Sequence, residues 1–261
     1  MASNETTNHI VTEYDGNVLR IRMNRPDKKN ALSLAMYSAM VKALEEADAN
    51  PEIRVVLFTG SPTCFTSGND VMDFMSNPPS DEDAPVIRFL DALAGAGKPL
   101  MAAVCGTAIG LGTTMLLHCD LVVAGDNARF RMPFVNLGLC PEAASSYLLP
   151  RVVGYARAAE LILLGESFGA EEALALGLVN TVGPPEEAEG LAMAKARALA
   201  AQPPAAVRAA KALMRRASEG TVLEAMRAEN LCFGERLRSP EAAEAFQAFI
   251  QRRKPDFSKF S

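Results

Sequence analysis

The sequence predicts an α/β layered fold followed by a helical C-terminal region, on three observations. An alternating segment at 18–23 and short apolar runs at 55–58, 100–104 and 121–124 read as strands. Helical periodicity and long glycine-containing connections separate them, an order that suits a layered α/β arrangement. From Glu186 the chain turns alanine-rich, charged and helical, with no strand candidate beyond Val182. This divides the 261 residues into an α/β core at 1–200 and a helical region at 201–261, with Gln202-Pro203-Pro204 breaking one helix from the next.

In chain order, Val18, Leu19, Arg20, Ile21, Arg22 and Met23 alternate as a half-buried strand does, and Asn24-Arg25-Pro26 ends it. Leu34, Tyr37, Val41 and Leu44 recur at helical spacing with Lys42, Glu45 and Glu46 opposite, so an amphipathic helix is expected, with Ser33 as its cap and Asn50-Pro51 as its stop. The run 55–58 reads as a fully buried strand before a Gly60-Ser61-Pro62 turn. The stretch 76–85 is the most loop-like and is expected to be mobile. Runs 100–104 and 121–124 are two more buried strands, and Phe246, Phe249 and Ile250 mark a final helix. No internal repeat is evident.

Composition narrows the possible roles. With 26 basic against 31 acidic residues the net charge is −5, which disfavours a general nucleic-acid role and requires a local basic patch for any polyanionic ligand. Two histidines, His9 and His118, exclude a multi-histidine metal site. Five dispersed cysteines without a Cys-x-x-Cys pair suit a reducing compartment. Residues 1–9 carry no signal-peptide or transit-peptide pattern, and Lys259-Phe260-Ser261 is not a standard peroxisomal address, so the cytoplasm is expected. The uncharged stretch 99–119 reaches bilayer length, but its glycines and threonines and its flanking Lys98 and Asp120 favour a buried strand, turn and helix over a membrane span.

Several residues could carry chemistry. Gly106-x-x-x-Gly110-x-Gly112 follows an apolar strand and opens a helix, where glycine permits positive φ and close backbone approach; it is neither a dinucleotide fingerprint nor a phosphate loop. Ser67-Gly68-Asn69-Asp70 lies in a loop whose amides could point into a cleft or form an ordinary turn. Glu142 follows Pro141, as a helix-start acid does, yet its neighbours are apolar: desolvation would raise its pKa and a helix dipole would lower it. Nucleophilic catalysis is poorly supported, because Ser67 has no nucleophile elbow and only His9 or His118 could serve as its base. His118, Cys119 and Asp120 are consecutive and splay apart, so His118 reads as a packing histidine, and Cys119 and Cys140 as core filling.

Taken together, Asn24-Arg25-Pro26 with Asn30-Ala31-Leu32, Phe65-Thr66-Ser67-Gly68-Asn69-Asp70, Lys98 through Gly106 to Gly110-Leu111-Gly112, Cys119-Asp120 and Arg253-Lys254-Pro255-Asp256-Phe257 resemble the crotonase, or enoyl-CoA hydratase/isomerase, superfamily over nearly the whole chain. The resemblance implies a spiral of ββα units, a homotrimer or dimer of trimers in which the C-terminal helices serve assembly and the acyl pocket, and an acyl-CoA thioester as ligand. It calls for no metal and no separate cofactor, since coenzyme A arrives as part of the substrate. It also implies an oxyanion hole made by the backbone amides of Asn69 and Leu111, within a substrate-binding set of Arg25, Lys28, Ser67, Gly68, Gly110, Phe134 and Lys254. Lys29 is a further candidate cation, and Leu139 with Phe134 would help keep the site dry.

The hydratases of the superfamily carry two glutamates, and Thr114 and Phe134 stand at those positions here, so efficient hydration is not implied. Lys28-Lys29-Asn30-Ala31, Pro133-Phe134, Leu137-Gly138, Pro141-Glu142 and Ser145-Ser146-Tyr147 are similar to the Δ3,Δ2-enoyl-CoA isomerase branch, in which the glutamate after proline is the single base. That implies isomerisation of a 3-enoyl-CoA to the trans-2-enoyl-CoA with Glu142 as proton shuttle. The alternatives are another crotonase-type reaction, such as weak hydration or dienoyl-CoA isomerisation, and a CoA-binding subunit with little turnover.

Overall fold

The structure, a computed structural model, describes residues 9–77 and 83–260. The N-terminal reading of residues 1–8 and the centre of the expected 76–85 loop, 78–82, lie outside the described residues.

Strands β1 (Ile10–Asp15) and β2 (Val18–Met23) form a hairpin that turns at Gly16, whose φ is +56°. A 3-10 turn (Pro26–Lys28) leads to α1 (Leu34–Ala49), whose Ser33 cap accepts from the Met36 amide as the sequence predicts. There follow β3 (Val55–Thr59), β4 (Cys64–Thr66), α2 (Val71–Ser76), α3 (Pro85–Gly95), β5 (Leu100–Val104) and β6 (Thr107–Ile109). Next come α4 (Leu111–Thr114) with a 3-10 turn (Met115–His118), β7 (Leu121–Gly125), β8 (Arg129–Arg131), a 3-10 turn (Val135–Leu137), α5 (Ser145–Val153) and α6 (Tyr155–Ala159). The chain closes with β9 (Phe168–Gly169), α7 (Ala170–Ala175), β10 (Thr181–Gly183), α8 (Pro185–Ala200), α9 (Pro204–Arg215), α10 (Glu219–Leu237) and α11 (Pro240–Ile250).

The strands make two sheets, in the orders β1-β2-β3-β5-β7-β10 and β4-β6-β8-β9. The successive pairs β3–β4, β5–β6 and β7–β8 each place their first strand in the larger sheet and their second in the smaller one. That repeated step is the spiral that the resemblance implies. β2, β3, β5 and β7 run parallel; burial on both faces explains the apolar runs of β3, β5 and β7, while β2 alternates because Arg20 and Arg22 stay partly exposed. Alternate residues sort to two cores. Val56, Phe58, Leu100 and Ala102 face the main core, whereas Val55, Leu57, Met101 and Ala103 pack with Ala188, Ala192, Ala196 and Ala200 of α8. Alanine every fourth residue makes α8 a smooth ridge that lies close on the sheet.

The stretch 99–119 forms the expected buried strand, β5, then turns through the short β6 into the buried α4 and its 3-10 turn. Asp120 must return to the sheet, where its carboxylate accepts from the Leu100 amide (2.8 Å) and pairs with Lys211 (2.7 Å). The final helix that Phe246, Phe249 and Ile250 mark is α11; Phe246 enters the core, while Phe249 and Ile250 are exposed. No helix among the described residues is long and apolar enough to cross a membrane.

Candidate active site

Strands β4 and β6 pair in parallel, Cys64 with Thr107 and Thr66 with Ala108, so the loops leaving their C-terminal ends lie side by side. The C-terminal edge of parallel strands is where α/β folds present ligand sites. The first loop is built on buried Asn30. Its Nδ2 donates to the carbonyls of Cys64 (3.0 Å) and Phe65 (3.1 Å), its Oδ1 accepts from the Arg25 amide (2.7 Å), and its carbonyl accepts from Thr66 Oγ1 (2.6 Å). The Leu32 amide donates to Gly68 O (2.8 Å) and the Asp70 amide to Leu32 O (2.9 Å). In such a parallel bridge the residue between the two bonded ones, Asn69, turns its own N–H to the opposite side.

Gly68 has φ +86°, and a Cβ there would stand 2.8 Å from Ile109 O, so both conformation and space demand glycine. This close approach brings the first loop against the second. There, Gly110 O accepts from the amides of Thr113 (2.9 Å) and Thr114 (3.0 Å), while Leu111, the first residue of α4, has an amide with no helical acceptor. The N–H groups of Asn69 and Leu111 have no acceptor among the described residues. Two uncommitted amides on adjoining loops are a fit for a developing oxyanion.

Glu142 sits between the Val135–Leu137 turn and α5, buried, with Oε1 accepting from the Thr114 hydroxyl one turn beyond Leu111. Burial pushes its pKa up to about 8, against the lowering effect of Thr114 and with a further rise from the charge of Glu229. The expectation of a helix-start acid is therefore corrected. Helix α5 begins at Ser145, after Ala143 and Ala144 in the left-handed region (φ 58° and 53°), and the carboxylate that meets its first amides belongs to Glu229 of α10. Each left-handed alanine costs about 1–3 kcal/mol, so the turn persists only because neighbours hold it. The His118 ring nitrogen Nε2 donates to Ala143 O (2.8 Å), and Ser145 Oγ donates to Glu142 O (2.6 Å).

Buried Tyr37 of α1 donates its hydroxyl to Asn69 Oδ1, and burial with the nearby Glu142 charge keeps this phenol well above its ordinary pKa. Burial also holds His118 down to about 4, so it is a neutral packing histidine, as its sequence context suggests. Burial raises the Cys119 thiol to about 12; burial and neighbouring Cys232 do the same to Cys140.

The structure brings Asn69, Leu111, Gly68, Gly110 and Glu142 together. Ser67 lies in the same loop, its amide on Lys29 O (3.1 Å), and Phe134 is buried two residues before Asn136 in the segment leading to Glu142. Arg25 is committed elsewhere: its guanidinium bonds Asp70 (2.7 Å) and Ala31 O (3.0 Å), clamping the first loop. Lys28 and Lys29 are exposed beside that loop. Lys254 is exposed on the C-terminal segment, outside the cluster, and Glu244 ties that segment down through Arg253 (2.6 Å) and the Asp256 amide (2.9 Å). Sequence reasoning missed Asn30, Tyr37 and Glu229 as site-builders. For Glu229 a signal existed, since it interrupts the apolar stripe Val222, Met226, Phe233 at helical spacing.

Residues 13–259 match the family model described as enoyl-CoA hydratase/isomerase. The rat protein named enoyl-CoA delta isomerase 2 is 36% identical over 94% of this chain, which spans 64% of that protein's length. A Mycobacterium leprae protein named probable enoyl-CoA hydratase echA8 is 34% identical, covering 91% of this chain and 93% of its own. The solved structure of Pseudomonas aeruginosa OdaA is 49% identical with a TM-score of 0.92, covering 94% of this chain and all of that one.

Proposed function

The chain belongs to the enoyl-CoA hydratase/isomerase family, and from that premise we propose that it shifts the double bond of a 3-enoyl-CoA to the trans-2 position. The amides of Asn69 and Leu111 hold the thioester oxygen and take up the negative charge that develops there. Glu142 removes a proton from C2; the C3–C4 double bond moves to C2–C3; Glu142 returns the proton to C4. The step is proton transfer alone, and coenzyme A enters with the substrate. Exposed Lys28 and Lys254 offer cations for it, Arg25 steadies the first loop, Ser67, Gly68 and Gly110 shape the thioester cradle, and Phe134 helps exclude water.

The observation that carries this reading is a buried carboxyl with a pKa of about 8 and a single neutral hydroxyl on it, one helical turn from an uncommitted amide. A base with raised proton affinity is better matched to a thioester α-proton than an ordinary carboxylate. Thr114 and Phe134, where hydratases of the family carry glutamates, supply no second acid or base for water addition.

The test is to incubate the purified chain with 3-hexenoyl-CoA and, separately, with crotonyl-CoA. Conjugated product from the first, with little hydration of the second, is expected; the reverse supports hydration, and no turnover of either supports a CoA-binding subunit. Glu142→Gln should lower isomerisation by about 10²–10⁴-fold; an undiminished rate sinks the base assignment. Because the ionised form is the base, kcat/KM should rise with pH through about 8. We also propose a homotrimer or dimer of trimers, to be read by light scattering, with exposed Leu213, Met214 and Leu231 as apolar surface for it. A cytoplasmic setting is proposed on the five unpaired cysteines.

A further inference from the structure

A second carboxyl is buried beside the reacting end of the molecule, and the proton shuttle does not use it. Glu229 reaches from α10 across to the turn that carries Glu142. Its Oε2 accepts from the Ala144 amide (2.6 Å), and its Oε1 accepts from the Ser146 amide (2.9 Å) and the Ser146 hydroxyl (2.5 Å). All three bonds are donations to Glu229; they favour its ionised form against the burial that raises its pKa. They fall on both sides of Ser145 and fasten the residues that follow the left-handed pair Ala143–Ala144.

We propose that Glu229 is a positioning residue, which clamps the 142–146 turn from α10 and so fixes both where the Glu142 carboxyl points and the charge it faces. The proposal rests on Glu142 being the base. Glu142 is faced by Thr114 from α4, Tyr37 from α1 and Glu229 from α10. Glu229 is faced by Cys140, with Cys232 on its own helix beside that thiol; His118 holds Ala143 O from the opposite side, with Arg215 and Lys211 behind it. Burial keeps His118, Cys140 and Tyr37 uncharged near neutrality, which leaves the two carboxyls as the site groups whose charge matters there. A carboxylate at position 229 makes ionising Glu142 harder and so favours its protonated form.

The experiment titrates Glu142 by infrared difference spectra of its carboxyl band in the full chain, with Glu142→Gln assigning the band, alongside the rate profile on 3-hexenoyl-CoA. In Glu229→Gln the Glu142 midpoint should fall by about one pH unit and the plateau rate by about 10–100-fold. Glu229→Asp keeps the charge and shortens the reach, so it should retain most of the midpoint while losing rate. Hydrogen exchange of the wild-type 141–147 segment adds a readout that needs no variant: the Ala144 and Ser146 amides should be protected. An unchanged midpoint and plateau in Glu229→Gln, or unprotected amides, overturns the proposal. If the wild-type chain isomerises nothing yet the midpoint still falls, the isomerase reading fails and the positioning role stands.

Discussion

The N-terminal ends of β5 and β7 and the C-terminal ends of β4 and β6 both bury charged or polar groups, and they treat them in opposite ways. At the first, Lys211 meets Asp120 (2.7 Å) and Lys98 O (2.7 Å), Lys98 donates to Ala47 O and Asn50 O, and Asp120 accepts from the Leu100 amide. Every charge there has a partner of opposite sign or a carbonyl. At the second, the Glu142 carboxyl has one neutral hydroxyl, and two amides have no acceptor among the described residues. Buried polar groups in folded proteins are mostly satisfied, so a cluster that is not is a candidate for binding or reaction.

This contrast can be broken at either end. Asp120→Ala strands a buried lysine, so unfolding in urea should show a loss of about 3–5 kcal/mol, with the activity per folded molecule retained. A neutral variant at the other end should do the reverse. Glu142 keeps its proton up to about 8 when folded and up to 4.5 in the reference state, so the unfolded chain sheds it first as pH rises, and wild-type stability falls between those values. Glu142→Gln lacks that slope, so its stability relative to wild type should rise by about 4 kcal/mol between pH 5 and pH 9. Equal slopes in the two proteins would mean that the carboxyl is not desolvated. The smallest effect is expected between the extremes: Tyr37→Phe removes a buried hydrogen bond to Asn69 Oδ1, for about 1 kcal/mol of stability, and should lower kcat by about tenfold through a looser Asn69 amide. A kcat change no larger than the change in folded fraction would show that Tyr37 does not steady the proposed oxyanion site.

The same contrast explains what was legible before folding. β2, β3, β5 and β7 announce themselves because their burial writes apolar runs or alternation into adjacent residues. β4, β6, β8 and β9 are two or three residues long and exist by pairing with one another, so no local period marks them. Exposed β1 is defined by its partner β2 in the same way. Gly68 and Gly110 stood out as glycines in promising loops, yet the contact of Gly68 with Ile109 that joins those loops spans 41 residues of chain. Arg25 reads as a free cation along the chain, and Asp70, 45 residues away, pairs with it in space.

Local pattern and motif order by themselves determined the layered α/β class, its superfamily, the helical C-terminal region and the identity of a lone candidate acid after Pro141. Tertiary structure alone decided that acid's chemistry. The proton affinity of Glu142 depends on the water excluded around it, on the Thr114 hydroxyl and on the charge of Glu229, which approaches from 87 residues further along the chain. Solvation and electrostatics act through space, and no reading of neighbours along the chain can sum them.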